Sequence, residues 1–138
     1  MKKIVVIDGQ GGKIGSLLVG RLKTNTEGYE IYAIGTNSIA TAAMMKAGAG
    51  YGATGENPTV VNCRDADIIV GPIGIVVADS LVGEVTPAMA VAIGQSGAQK
   101  VLLPVNRCNT YIAGAREMPV GDLIDQAIAY IAQIVEKS

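Results

Sequence analysis

The chain has 138 residues, the usual size of one domain. Its 11 basic and 12 acidic side chains give a formal net charge of −1, so it lacks the net positive charge typical of nucleic-acid-binding proteins. It contains no histidine, which excludes His-dependent catalytic triads, Cys–His nucleophiles and His-ligated metal sites. No apolar run approaches the ~18 residues of a transmembrane helix, so neither a membrane span nor a signal peptide is expected. The two cysteines, Cys63 and Cys108, form no CxxC pair, and we expect reduced thiols in a cytoplasmic protein without a metal site.

Short β-rich runs alternate with helical patterns along the chain, an order typical of a parallel sheet with helices on its faces. The pattern predicts one domain over residues 1–138, a three-layer α/β/α Rossmann-like fold with a mainly parallel sheet and the first strand at its centre. Strands are predicted at 3–8, 30–35, a short stretch ending near 53, 67–71 and 100–105, with an edge strand at 111–113. Helices are predicted at 14–24, from Asn37 or Ser38 to Gly48, from Pro58, from Thr86-Pro87 to 94–97, and at 123–135 with a cap near Gly121 or Asp122.

Polar and glycine-rich clusters follow five of the predicted strands. Because the carboxyl ends of parallel strands share one edge of a sheet, and open α/β sheets bind ligands at that edge, we expect the binding site there. Polar, glycine-rich sequence is also ordinary in loops, which is the competing interpretation. The clusters are 8–13, 35–37, 54–57, 71–74 and 106–109.

The first cluster is the most specific, because its glycines lie between a strand and a helix. They satisfy GxG and GxxGxxG, although Ile14 stands where the strict GxGxxG pattern has glycine. Such a turn lets backbone N–H groups and the positive end of the helix bind a phosphate, and Lys13 can neutralise it. A structural turn without a ligand is the alternative. The predicted cofactor-binding residues are Gly9, Gln10, Gly11, Gly12, Lys13, Ile14, Gly15, Thr36, Asn37, Gly71, Pro72 and Ile73.

The end of the second strand departs from the dinucleotide pattern. It has neither the acidic residue that would bind an adenosine ribose nor the arginine expected for a 2′-phosphate. Thr36 and Asn37 can bond ligand oxygens or cap the next helix. The ligand, expected to be NAD or NADP, can therefore be another nucleotide.

Few other side chains suit catalysis. Cys63 is expected to be a small buried residue, and Cys108 has Arg107 beside it but no base. Three loop carboxylates are either solvated or in contact with a ligand: Glu56, Asp79 and Glu84.

The opening Ile-Val-Val-Ile-Asp-Gly-Gln-Gly-Gly-Lys-Ile-Gly resembles NAD(P)-binding Rossmann domains, which implies a nucleotide at 9–15. Together with Thr54-Gly-Glu-Asn-Pro58, Ala78-Asp-Ser-Leu, Thr86-Pro87 and Asn106-Arg-Cys-Asn109, the chain resembles a family of small, functionally uncharacterised bacterial proteins. The second resemblance covers nearly the whole chain and implies no activity.

Three functions remain open at this point. The first is a nucleotide-binding sensor or subunit, and the second is a small enzyme whose site a dimer completes, using Asn106, Arg107, Cys108 or Glu56. The third is an interaction protein whose glycines serve packing alone. A homodimer is predicted because the apolar residues within 73–85 fit no half-buried element, so they cover either a partner or the chain's own sheet.

Overall fold

The computed structural model describes residues 1–24, 27–105 and 109–137. The strands are β1 Lys2–Asp8, β2 Tyr29–Gly35, β3 Tyr51–Thr54, β4 Ile68–Pro72 and β5 Gln99–Leu103. The helices are α1 Lys13–Thr24, α2 Ser38–Ala47, α3 Glu56–Cys63, α4 Pro87–Gln95 and α5 Val120–Glu136, and a short 3-10 helix, Ile73–Val76, follows β4.

The five strands pair in parallel in the order β3-β2-β1-β4-β5, with β1 at the centre. Chain order reverses at β1, because β2 lies on one side of it and β4 on the other. This reversal is the topological switch point at which open α/β sheets bind ligands. The predicted α/β class and the central first strand are confirmed.

Both faces of the sheet are buried, as the apolar strand sequences require. Ile4 and Val6 point into a core formed with α1, α2 and α5. Val5 and Ile7 point into a second core, to which α3, α4 and the 3-10 helix contribute Cys63, Ile93 and Ile75. The molecule is therefore a three-layer α/β/α domain. Among the described residues, no helix is both long and apolar enough to cross a membrane.

Three boundary predictions are wrong, each for a local reason. Residues 111–113 form no strand, since Tyr111 is 83% exposed and the backbone turns so that Ala115 N–H donates to the carbonyl of Ile112. Helix α3 starts at Glu56 rather than at Pro58, because a proline fits anywhere in a first turn, where no N–H is needed. Helix α5 starts after Pro119, without the side-chain cap predicted near Gly121 or Asp122.

The segment that follows β4 folds back onto its own chain. Ile75 and Val85 are fully buried and Leu81 is 7% exposed, whereas Val82 is 96% exposed. The chain itself thus covers much of the apolar surface that suggested a partner, and the homodimer stays a prediction.

Candidate functional site

The glycine turn, residues 9–12, connects β1 to α1 at the switch point of the sheet. Gln10, Gly11 and Lys13 are exposed on its outer side, whereas Gly9 and Gly12 are buried. Helix α1 begins at Lys13, so its first amide groups point toward this turn. The predicted loop therefore stands where a ligand of the sheet would bind.

Asp8, the last residue of β1, is only 5% exposed and binds the turn from inside. Its Oδ1 accepts from the N–H of Gly9 at 2.8 Å, and its Oδ2 accepts from the N–H of Gly15 at 2.7 Å. Burial raises the pKa of Asp8 and outweighs the opposing effect of the backbone N–H groups of Gly15, Gly9 and Ile14. The Asp8 carboxylate thus accepts hydrogen bonds from backbone amides that the sequence predicts to bind a phosphate.

Three of the four glycines are required by the packing of the chain itself. A Cβ at Gly9 would collide with the Thr36 side chain and with Leu81. At Gly12, φ is +73° and a Cβ would lie 2.8 Å from Ala40 Cα, and at Gly15 it would lie 2.5 Å from Met44 Sδ. These positions need glycine whether or not a ligand binds.

Gly11 is different, because a Cβ there would meet no atom of residues 1–24, 27–105 or 109–137 within 4 Å, and its φ is not in the left-handed region. Among the described residues, nothing accepts a hydrogen bond from the N–H of Gly11 or of Lys13. These two amides and the exposed Lys13 side chain are the part of the predicted site that remains accessible to an anion.

Glu84 was predicted only as one of three loop carboxylates, yet its side chain accepts three hydrogen bonds at this edge. Its Oε1 accepts from the N–H of Gln10 at 2.8 Å, from Thr36 Oγ1 at 2.6 Å and from Asn37 Nδ2 at 2.8 Å. Partial burial acts to raise the pKa of Glu84, but the bonds from Thr36, Gln10 and Asn37 outweigh it, and the pKa lies below its ordinary value. Glu84 is therefore ionised at neutral pH.

Residues 77–85, which we call the covering loop, carry Glu84 to the glycine turn. Leu81 and Glu84 both lie against Gly9, where a dinucleotide would bring its pyrophosphate. The loop closes on itself through the N–H of Asp79, which donates to the carbonyl of Val85 at 2.7 Å. In this conformation the inner side of the glycine turn is filled by the protein.

The structure brings Thr36 and Asn37 next to the glycine turn, and Asn37 makes two kinds of contact there. Its Oδ1 accepts from Ala40 N–H at 2.8 Å and caps α2, while its Nδ2 donates to Glu84 and to the carbonyl of Gln10. The helix-cap interpretation of Asn37 is confirmed, and its contact with ligand oxygens stays a prediction.

The remaining predicted site residues do not join this cluster. Gly71 and Pro72 are buried at the end of β4, and a Cβ at Gly71 would collide with the backbone of Ile7. Ile73 begins the 3-10 helix and is partly buried. Gly71 and Pro72 therefore offer a ligand little accessible surface, and Ile73 offers only its exposed part.

Among the described residues, the other chemical candidates do not share the hydrogen-bond donors of Glu84. Glu56 accepts from Thr86 Oγ1 at 2.6 Å, and Asp79 is exposed with φ 67°. Cys63 is buried as predicted, and burial raises the pKa of its thiol to about 11. The predicted candidates Asn106, Arg107 and Cys108 lie outside the described residues. Within the described ranges, no three Cys, Asp or Glu side chains group as metal ligands.

A groove of about 440 Å³ lies between α3 and α4, on a different part of the surface. Valine and alanine side chains form much of its wall, and it lacks the converging polar groups that fix a small ligand. We therefore place the candidate site at the glycine turn rather than in this groove. The lining residues are Val60, Cys63, Arg64, Ala88, Val91, Ala92, Gln95, Ser96 and Gly97.

Comparisons with known proteins give a family and a fold. A family model described as "Domain of unknown function (DUF3842)" matches residues 3–136, so the chain belongs to that family. No curated protein matches. An arsenate reductase in the phosphate binding state is 19% identical, with a TM-score of 0.50, and the match covers 99% of this chain and 98% of the other. A dodecameric FMN-dependent Ubix-like decarboxylase from Escherichia coli O157:H7 is 20% identical, with a TM-score of 0.48 and coverage of 96% and 76%.

Proposed function

We propose that this member of the DUF3842 family binds a small phosphorylated ligand of the nucleotide class on the outer side of the glycine turn, as a sensor or as a subunit of a larger assembly. NAD and NADP are candidates among such ligands. The proposal concerns binding, since the described residues bring together no nucleophile with a base.

The observation that carries the proposal is the accessible surface at Gly11 and Lys13. Two amides for which the described part of the chain offers no acceptor stand at the start of α1, where the helix dipole favours an anion. The exposed Lys13 side chain adds a positive charge beside them. The absence of a Cβ at Gly11 leaves room for a phosphate oxygen to approach the backbone.

A second candidate, an interaction protein without a nucleotide, is favoured by a different observation. Gly9, Gly12 and Gly15 are explained by internal packing, and the covering loop already fills the inner side of the turn. In that case, the whole glycine pattern except Gly11 would serve the fold. The two candidates differ in whether a phosphorylated compound binds at Gly11.

The test begins with the purified protein. Five tyrosines and no tryptophan give weak absorption at 280 nm, so a co-purified nucleotide would be evident at 260 nm and identifiable by mass spectrometry after heat release. Calorimetric titration with AMP, ADP, FMN, NAD and NADP then measures affinity directly.

A matched pair of variants locates the binding site. Gly11→Val places a side chain over the accessible amides and should abolish binding, with the melting temperature within a few degrees of the unmodified protein. Gly97→Val is the control, because Gly97 is also exposed, has open space around it and lies before β5, at the opposite edge of the sheet. Binding that survives Gly11→Val, or no binding of any compound, would reject the proposal.

A further inference from the structure

We propose that the Glu84 carboxylate is an internal competitor for a second phosphoryl group, and that the covering loop is a lid over a diphosphate site. When the lid lifts, the Gln10 N–H, the Thr36 hydroxyl and the Asn37 amide bind a phosphoryl oxygen in place of Glu84. This inference rests on the proposed function and deepens it, because it assigns the ligand to the organic diphosphates.

The first argument is the convergence of three donors on one oxygen. They come from the glycine turn and from the end of β2, and they meet Glu84 Oε1 at 2.6–2.8 Å. Donors that converge on a negatively charged oxygen form charge-assisted hydrogen bonds, and a phosphoryl oxygen accepts the same bonds as a carboxylate oxygen.

The second argument is that other contacts hold this donor set in place. The N–H of Thr36 donates to the carbonyl of Asp8 at 2.9 Å, which fixes the end of β2 against β1. The Asn37 side chain is oriented by Ala40 N–H on one side and by the carbonyl of Gln10 on the other. If Glu84 leaves, the donors therefore keep their orientation toward an incoming anion.

The third argument is the backbone of the loop that delivers Glu84. Leu81, Val82 and Gly83 have φ of 56°, 57° and 85°, and Asp79 has φ of 67°. A left-handed conformation is rare for a β-branched residue, and Val82 is 96% exposed, so no packing of its side chain compensates. Such a conformation persists only where surrounding contacts impose it, and the Glu84 hydrogen bonds are contacts of that kind.

The ligand class follows from the order of the amides along the turn. The N–H of Gln10, now bonded to Glu84, directly precedes the accessible N–H of Gly11. One phosphoryl group on Gly11 and Lys13 thus has its neighbour beside Gln10, Thr36 and Asn37. A diphosphate uses both positions, whereas a monophosphate needs only the outer one.

The experiment is calorimetric titration of Glu84→Ala with ADP and AMP. Removal of the competing carboxylate should tighten ADP binding by about tenfold or more, because apparent affinity is the intrinsic affinity multiplied by the fraction of molecules whose lid is open. AMP affinity should change less than about twofold. Glu27→Ala is the control, since Glu27 is an exposed carboxylate just before β2, at the opposite edge of the sheet, and it should leave both affinities unchanged. ADP affinity that is equal or weaker in Glu84→Ala overturns the inference.

Two further measurements keep the test decisive. If Glu84→Ala does not fold, Glu84→Gln replaces it, since it removes the charge at nearly the same volume and should also favour ADP. In the unmodified protein, ADP should increase chymotryptic cleavage after Leu81, which is now buried, and protection of that site would contradict a lifting lid. If Gly11→Val abolishes AMP binding while Glu84→Ala leaves ADP affinity unchanged, the inference fails and the proposed function stands. If neither nucleotide binds any variant, both fail.

Discussion

Replacement of Asp8 by alanine tests whether the buried carboxylate holds the glycine turn together. Asp8 Oδ1 and Oδ2 accept from the N–H groups of Gly9 and Gly15, and both hydrogen bonds are buried. In Asp8→Ala the two amides lose their acceptors and no water replaces them easily. We expect the variant to fold with reduced stability and a looser turn.

The expected magnitude follows from these two bonds. A buried donor left without an acceptor costs about 1–3 kcal/mol, so two amides cost about 2–6 kcal/mol. Relief of the unfavourable burial of the carboxylate offsets part of this, since burial raises the pKa of Asp8. We expect a net loss of about 2–4 kcal/mol in the free energy of unfolding, a large share of the ~7–20 kcal/mol typical of a chain this long.

Urea denaturation at equilibrium measures the effect, with Asp67→Ala as the matched control. Asp67 Oδ2 also accepts a backbone N–H, that of Lys3, at 2.7 Å, but this bond is exposed, and its loss should cost less than about 1 kcal/mol. Equal losses in the two variants, or a loss below about 0.5 kcal/mol for Asp8→Ala, would refute the argument from burial.

The difference in stability between the unmodified protein and Asp8→Ala should depend on pH. Because the pKa of Asp8 is raised in the folded state, the folded protein binds more protons than the unfolded one between the ordinary value of 3.8 and the raised value. The stabilisation due to Asp8 is therefore complete below pH 3.8 and declines as the pH rises through the raised pKa. The stability difference between the unmodified protein and Asp8→Ala should be larger near pH 4 than near pH 7, and the opposite sign would contradict the raised pKa.

Three other predictions concern packing and ionisation. Gly15→Ala should lower the free energy of unfolding by about 1–3 kcal/mol in urea titrations, because its Cβ would lie 2.5 Å from Met44 Sδ, whereas Gly97→Ala, in open space, should change it by less than about 0.5 kcal/mol. Cys63 should resist iodoacetamide at pH 8 in the folded protein and react in urea, as peptide mapping would show, because it is buried and its pKa is raised to about 11; modification of the native protein at this residue would refute its burial. Burial raises the pKa of Tyr29 to about 12, so its contribution to stability should be present below pH 10 and lost as the pH rises toward 12, a loss that should be smaller in Tyr29→Phe when melting is followed against pH.

Most of the fold could be predicted because its signals are local. The apolar run of β1 and the 3.6-residue stripe of α5 follow directly from burial on both faces of the sheet and on one face of the helix. Residues 111–113 have a similar apolar composition but pair with no strand that the structure describes, so the same signal misled the prediction there. The failure shows that a short apolar run needs a partner strand, which the sequence does not reveal.

The candidate site likewise has a part that the sequence predicts and a part that it does not. The glycine turn and the residues at the end of β2 lie within short segments with recognisable patterns, and the structure brings them together. Glu84 reaches them across sequence separations of 74, 48 and 47 residues, through a loop whose backbone follows no regular period. Nothing in its sequence distinguishes it from Asp79 or Glu56, so its role required the folded chain.

The sequence has no carboxylate at the end of β2, but the folded protein brings Glu84 there. The hydrogen bonds of Glu84 differ from those of a carboxylate that binds ribose hydroxyls. Glu84 Oε1 is already occupied by three donors, two of them side chains at the end of β2, so that the protein holds this oxygen as it would hold a bound anion. A neutral hydroxyl in the same place would leave converging donors poorly satisfied, whereas a phosphoryl oxygen would satisfy them. The hydrogen-bond pattern at Glu84 therefore favours a competitor for phosphate over a contact to ribose.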